Sequence, residues 1–349
     1  MKKIILLLLL LIIPLNTNAI SASSYIVMDT DNNRVLEGSN IHKKSLIAST
    51  TKIMTAMVVI NNASLNKQIT IGNEVLKSYG SGIYIEIGEK LSVEELLYGL
   101  LLRSGNDAAI TLAYNIGGSM DGFAILMNEL ASSLNMKSTS FINSSGLEDG
   151  DKANISTVYD MGLLSSYAIK NEIFKKIVGT KSLTVKTNYK TYIWHNKNKL
   201  LSSYKYCTGG KTGFTEKARR TLVTTASKNN INLTVVTFND GNDFQDHHDL
   251  YEKYFKLLKP YQILFKGKIE TIYPNTYIEN DYWMNLSNKE SNKIELSINY
   301  YEKNISNLIG YVEVKLDGEV YHKENIYQKE IPVKESFWEK LKRKLALLW

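Results

Sequence analysis

Ser49 and Lys52 lie three residues apart at the head of an apolar run, Ile53-Met54-Thr55-Ala56-Met57-Val58-Val59-Ile60. No other feature constrains the fold as much. A helix through this run is apolar on nearly every side, so the chain must wrap around it. The three-residue spacing then puts the serine and the lysine on one face, a turn apart. A serine hydroxyl is a weak nucleophile until a neighbour takes its proton. A lysine can take it when burial or a second cation lowers its pKa. A helix start at the serine also favours negative charge on a group under attack.

The rest of the chain falls around this stretch. Met1 to Ala19 reads as a secretory leader. Lys2 and Lys3 precede the apolar run Ile4–Ile13, Pro14 breaks it, and Thr17-Asn18-Ala19 offers small residues for cleavage, with Ala22 a second point. The ten apolar residues span about 15 Å as a helix, short of the roughly 30 Å hydrocarbon core of a membrane. Tyr25–Met28, a polar turn at Asp29–Asn33, then Val35 and Leu36 read as a hairpin. Ser92 with Glu95 forms a capping box for a buried helix carrying Leu96, Leu97, Leu100, Leu101 and Leu102. That helix stops at Arg103-Ser104-Gly105-Asn106, and another restarts from Asp107. Ser104 and Asn106 are expected to face a cleft opposite the Ser49 helix.

Further helices follow, with a loop at Ser144–Asp151 and a helix capped by Ser156 or Thr157. Then comes Cys207-Thr208-Gly209-Gly210-Lys211-Thr212-Gly213-Phe214-Thr215, ahead of two strands, Thr221–Ala226 and Leu233–Phe238. Gly213 in such a setting implies close approach by another backbone or a ligand. Lys211 and Thr212 offer a cation and a hydroxyl, a pair suited to a carboxylate.

Ser49-x-x-Lys52, Ser104-Gly105-Asn106 and Lys211-Thr212-Gly213 occur in the order and with the residue types of the penicillin-binding and β-lactamase signature. With their surroundings, they closely resemble the low-molecular-mass penicillin-binding proteins that are serine-type D-alanyl-D-alanine carboxypeptidases. The resemblance implies an α/β (α+β) penicillin-binding/β-lactamase-like transpeptidase fold. It implies that Ser49 is the acylated nucleophile, Lys52 its general base and Ser104 a proton relay. Asn106 would hold Lys52 or the substrate amide. Lys211 and Thr212 would bind the terminal carboxylate of D-alanine, and Gly213 would line the same strand. The backbone N–H groups of Ser49 and Phe214 would form the oxyanion hole. The implied partners are a peptidoglycan stem peptide ending in D-Ala-D-Ala and β-lactam antibiotics as covalent inhibitors, with no cofactor and no metal. Two positions depart from the family pattern. Ser145 stands where relatives often have histidine, and Ala218-Arg219 where they usually have Ala-Gly.

Competing readings are weaker. Asp246-His247-His248-Asp249 could ligate zinc, but adjacent histidines rarely face one ion; a start to a helix over Leu250–Leu257 is the better reading. Cys207, the single cysteine, reads as a packing residue, and no G-x-S-x-G marks an α/β-hydrolase. A class A β-lactamase needs an additional glutamate, and no E-x-x-L-N lies between Asn106 and Lys211. A D,D-endopeptidase or a non-catalytic penicillin sensor uses the same scaffold.

After Pro260 the pattern changes to period-two alternation: Ile294, Leu296, Ile298, Tyr300, then Val312, Val314, Leu316, with Asp317-Gly318 as a tight turn. The expected division is a leader at 1–19, a catalytic domain at 20–263, a small all-β sandwich at 264–333 and a tail at 334–349. In that tail, Phe337, Trp338, Leu341, Leu345, Leu348 and Trp349 share one arc, with Lys340, Lys342, Arg343 and Lys344 outside it. This fits an amphipathic helix lying on anionic lipid. The formal charge of +7 and the pI of about 9.0 suit such a surface or an anionic polymer. No nucleic-acid module is present. The expected location is the outer face of the bacterial cytoplasmic membrane.

Overall fold

The computed structural model describes residues 20–329. The leader at 1–19 and the tail at 334–349 lie outside the described residues.

The frame is a five-stranded antiparallel sheet, with strands β1 (Ser24–Asp29), β2 (Arg34–Ser39), β3 (Cys207–Thr215), β4 (Arg219–Lys228) and β5 (Ile231–Phe238), in the order β2-β1-β5-β4-β3. The first and last thirds of the catalytic region thus meet in one sheet, Val27 opposite Val235 and Lys211 opposite Val223. Both faces of the sheet are covered. Because successive side chains alternate, Ile26, Met28, Val223 and Val236 face one core while Val27, Leu233 and Val235 face the other.

The first core is helical. It contains α1 (Lys52–Asn62), α2 (Val93–Leu102), α3 (Asn106–Gly117), α4 (Met120–Ser133), α5 (Val158–Ile169) and α6 (Glu172–Gly179). Every residue of α1 from Lys52 to Val59 is buried, as the apolar run requires. Ser92 caps α2 with its reciprocal Glu95 bond, so α2 ends at a defined point and the turn to α3 falls beside α1. The second core lies under α7 (Asp243–Leu257), which lays Leu250, Tyr251, Tyr254 and Phe255 on the sheet.

The C-terminal part is all β. Strands β6 (Lys259–Leu264) and β9 (Tyr282–Leu286) pair as a ribbon. They pack on a five-stranded sheet of β7 (Gly267–Lys268), β8 (Thr276–Ile278), β12 (Glu319–Gln328), β11 (Leu308–Leu316) and β10 (Ile294–Ile305), in that order. The pairing begins at Lys259, ahead of the boundary expected at 264, because Leu264 shares a core with Met284 and Leu286. Asp317 and Gly318 both have positive φ, as a tight hairpin turn demands. Buried Arg34 of β2 ties the two parts together. It pairs with Glu290 at 2.6 Å and donates to the Asn285 carbonyl.

Candidate active site

Ser49 stands in a 3-10 turn, Ala48–Thr51, and α1 begins only at Lys52. The expected helix start therefore arrives one turn late, and the serine sits on a tight turn ahead of it. That turn is held by Thr50, whose hydroxyl donates to the Ile47 carbonyl at 2.6 Å, and by Ala48 at φ +47°. Such a φ costs a non-glycine residue free energy that its surroundings must offset. The surroundings include Gly146: a Cβ there would lie 1.8 Å from the Ala48 carbonyl oxygen. On the opposite side a Cβ on Gly213 would meet Thr221 Oγ1 at 2.4 Å and the Ser49 amide nitrogen at 3.0 Å. The close approach expected at Gly213 is thus that of the serine turn itself.

Lys52 is completely buried. Its Nζ reaches Ser49 Oγ at 3.0 Å, Asn106 Oδ1 at 2.7 Å and the Ser145 carbonyl at 2.6 Å. Asn106 is oriented by its own amide, which donates to the Tyr79 carbonyl. Asn106 Oδ1 and the Ser145 carbonyl can only accept, so they claim the two N–H bonds of a neutral amine. Its lone pair is then left for the Ser49 hydroxyl proton. The charge state fits this geometry: burial first, then the Lys197 cation, brings the Lys52 pKa down to about 7, against an opposing pull from Asp107.

Ser104 lies between α2 and α3 at φ +63°. Its buried hydroxyl has no hydrogen-bond partner among the described residues, yet Ser104 lines the cleft beside Ser49. A buried, unpaired hydroxyl on a strained residue beside a cleft makes Ser104 a candidate functional position. Asp107 accepts from the backbone of Ile83 and Tyr84 and so fixes the facing loop.

Lys211 is also fully buried. Its Nζ donates to the Thr212 carbonyl at 2.7 Å, and burial, Lys52 and Lys197 together hold its pKa well below the usual lysine range. On the face it shares with Val223, the side chain points toward the helical core and Lys52. Thr212, Gly213 and the exposed Phe214 line the cleft of about 390 Å³ directly.

The structure therefore gathers all eight expected site residues along one cleft and its floor. It also brings in residues that the sequence did not announce. Lys197 lines the cleft, its Nζ 3.2 Å from Ser81 Oγ, and its charge lowers the pKa of both Lys52 and Lys211. No motif surrounds Lys197, so only the fold could reveal it. Arg220 pairs with Asp243 at 2.6 Å on the cleft wall. Ser145, one of the two departures from the family pattern, meets Lys52 through its backbone carbonyl.

The competing sites resolve differently. Asp246–Asp249 lies within α7, which starts at Asp243 rather than at Leu250. His247 uses both ring nitrogens, on Thr224 Oγ1 at 2.7 Å and Thr237 Oγ1 at 3.1 Å. Cys207 Sγ contacts Asn198 and the Gly209 carbonyl, and burial pushes the thiol pKa up.

Comparison with known proteins identifies the family. A family model described as D-alanyl-D-alanine carboxypeptidase matches residues 14–242. The chain is 32% identical over 223 residues to the D-alanyl-D-alanine carboxypeptidase DacF of Bacillus subtilis, covering 62% of this chain and 57% of the relative. It is 38% identical over 198 residues to the D-alanyl-D-alanine carboxypeptidase of Streptomyces sp. K15, covering 52% of this chain and 67% of that one. Penicillin binding protein 5 of Haemophilus influenzae superposes with a TM-score of 0.74 at 25% identity, over 88% of this chain and 96% of its own. The match thus spans little more than half the length of the Bacillus protein.

Proposed function

The chain belongs to the D-alanyl-D-alanine carboxypeptidase family, and from that premise we propose that it removes the terminal D-alanine from peptidoglycan pentapeptides through an acyl-enzyme on Ser49. The observation that carries the proposal is the Lys52 environment: an amine near neutrality, with two fixed acceptors and its remaining valence toward Ser49 Oγ.

In this reading the Ser49 oxygen attacks the penultimate D-alanine carbonyl as Lys52 takes its proton. The Ser49 and Phe214 backbone N–H groups stabilise the oxyanion. Ser104, whose hydroxyl has no other partner, passes a proton to the leaving amine. Asn106 holds Lys52 in register. Thr212 and Lys211 meet the terminal carboxylate, with Lys197 and Arg220 on the cleft surface. Water then hydrolyses the ester. β-Lactams would acylate the same serine, because their amide takes the place of the D-Ala-D-Ala bond.

The reaction belongs outside the cytoplasm, where the leader at 1–19 would send the chain. The tail at 334–349 would hold it on the membrane surface. Among the described residues no helix is long and apolar enough to cross a membrane.

Incubation with purified pentapeptide and, separately, with cross-linked peptide dimer tests the activity. Release of free D-alanine from pentapeptide is the expected result. Cleavage of the dimer alone would make the protein an endopeptidase, and turnover of neither would remove the catalytic reading.

A further inference from the structure

The chain just beyond the expected leader is gripped by two aspartates from far along the sequence. The Ser21 amide donates to Asp246 Oδ2 at 2.7 Å. Ser21 Oγ lies 2.5 Å from Asp240 Oδ1 and 2.9 Å from Asp246 Oδ2. The Asn242 amide donates to Asp240 Oδ1 at 3.0 Å and reaches Ser21 Oγ at 3.1 Å. Asp240 and Asp246 are 1% and 6% exposed. The donors here are too few. One hydroxyl hydrogen serves only one of the two oxygens beside it. Asp240 Oδ2 is buried without a hydrogen-bond partner. Among the described residues no basic side chain forms an ion pair with either acid; the nearby Arg220 is committed to Asp243. Burial holds the Asp240 carboxyl above its ordinary range, with the neighbouring Asp246 adding to the effect. Two buried acids side by side, short of donors, either share a proton or meet a positive charge.

We propose that cleavage of the leader after Ala19 supplies this charge, and that the new α-ammonium of Ile20 ion-pairs with Asp240 and Asp246. Hydrolysis of the Ala19–Ile20 bond adds water. Ala19 keeps a carboxylate, and Ile20 keeps an amine that takes a proton near neutrality, its ordinary pKa being about 7.7–8.0. Ile20 stands one residue ahead of the Ser21 amide that already contacts Asp246, and its side chain packs against the core under α7. The competing cleavage after Ala22 would discard Ser21 and every contact it makes. It would leave the two acids facing each other, while the Ser23 amide keeps only the Phe238 and Asn239 carbonyls. The grip also reaches the cleft. The Asp240 amide donates to the Arg220 carbonyl at 3.1 Å, and Arg220 lines the wall beside Ser49. Leader removal thereby braces the rim of the active site.

This rests on the extracytoplasmic reading above, and two measurements test it separately from the chemistry. The full precursor is first secreted from a bacterial host and its intact mass recorded. A start at Ile20 is expected. A start at Ser23 overturns the assignment, and retention of Met1 overturns both it and the extracytoplasmic reading, while penicillin labelling of Ser49 still reports on catalysis. The α-amine of the secreted protein is then titrated through its pH-dependent reaction with an acylating reagent. An ion-paired Ile20 amine should react at least about fourfold more slowly at pH 8 than the same amine in Asp240→Asn/Asp246→Asn, as a pKa rise of one unit or more requires. If the double variant does not fold, wild type carrying one extra glycine before Ile20 provides the comparison. An amine in the wild type as reactive as the one in the variant would show that the acids share a proton instead, and overturns the proposal.

Discussion

The carbonyl oxygen of Ser145 accepts from Lys52 Nζ at 2.6 Å, although the two residues are far apart in the chain. Together with Asn106 Oδ1, it leaves Lys52 one direction of reactivity, toward Ser49. The pH response of the enzyme follows. Lys52 can act as base only when neutral, so the rate of Ser49 acylation should rise with pH through about 7. Lys52→Ala should lose roughly 10²–10⁴-fold in that rate. Asn106→Asp places a negative charge against Nζ, which favours the ammonium. It should therefore move the midpoint upward by about one to three pH units. Stopped-flow acylation across pH checks both, and an Asn106→Asp profile that stays in place contradicts the arrangement.

Gly146 should tolerate no side chain. Its φ of +87° alone would cost an alanine about 1–2 kcal/mol. The added Cβ would also overlap the Ala48 carbonyl and displace the turn that presents Ser49. Gly146→Ala is expected to lower both the melting temperature and the acylation rate. An unchanged rate would mean that the turn does not depend on this contact.

His247 is buried and neutral, with a folded pKa of about 3, against about 6.5 when unfolded. Below about 6.5 the unfolded chain binds a proton that the folded one excludes. Stability from this source is whole above about 6.5 and is lost as pH falls toward 3. His247→Gln, which can still pair with Thr224 and Thr237, should melt with a shallower acid dependence than wild type across that window. Thermal scans from pH 7 to pH 3.5 decide the matter, and parallel curves contradict it.

Removal of 334–349 should release the enzyme from anionic vesicles without loss of peptide turnover, because none of the three motifs lies there. Co-sedimentation of full-length and shortened protein measures it. High salt should weaken binding of the full chain without abolishing it, since only the basic part is screened. Equal pelleting of the two forms would place the attachment elsewhere.

Much of the fold was legible because it follows local rules. The capping box at Ser92 and Glu95, the buried run of α1, the Asp317-Gly318 turn and the alternation in β10 and β11 each declare themselves within a few residues. The three motifs were legible for the same reason. Long-range geometry was not. Lys197 follows a short strand and belongs to no pattern, yet the fold brings its charge to bear on Lys52. Ser145 acts through its carbonyl, which any residue would supply, so its identity carries no signal. Asp240 and Asp246 become notable only when Ser21, more than two hundred residues earlier, is placed between them. The 3-10 turn at Ser49 was read as helix because the two differ by a fraction of a residue per turn.

The most direct test of the whole account is mass mapping of the protein after exposure to benzylpenicillin. The account predicts one penicilloyl group per chain, on the peptide containing Ser49, and its loss in Ser49→Ala. An adduct on any other residue, or none on a folded protein, would contradict it.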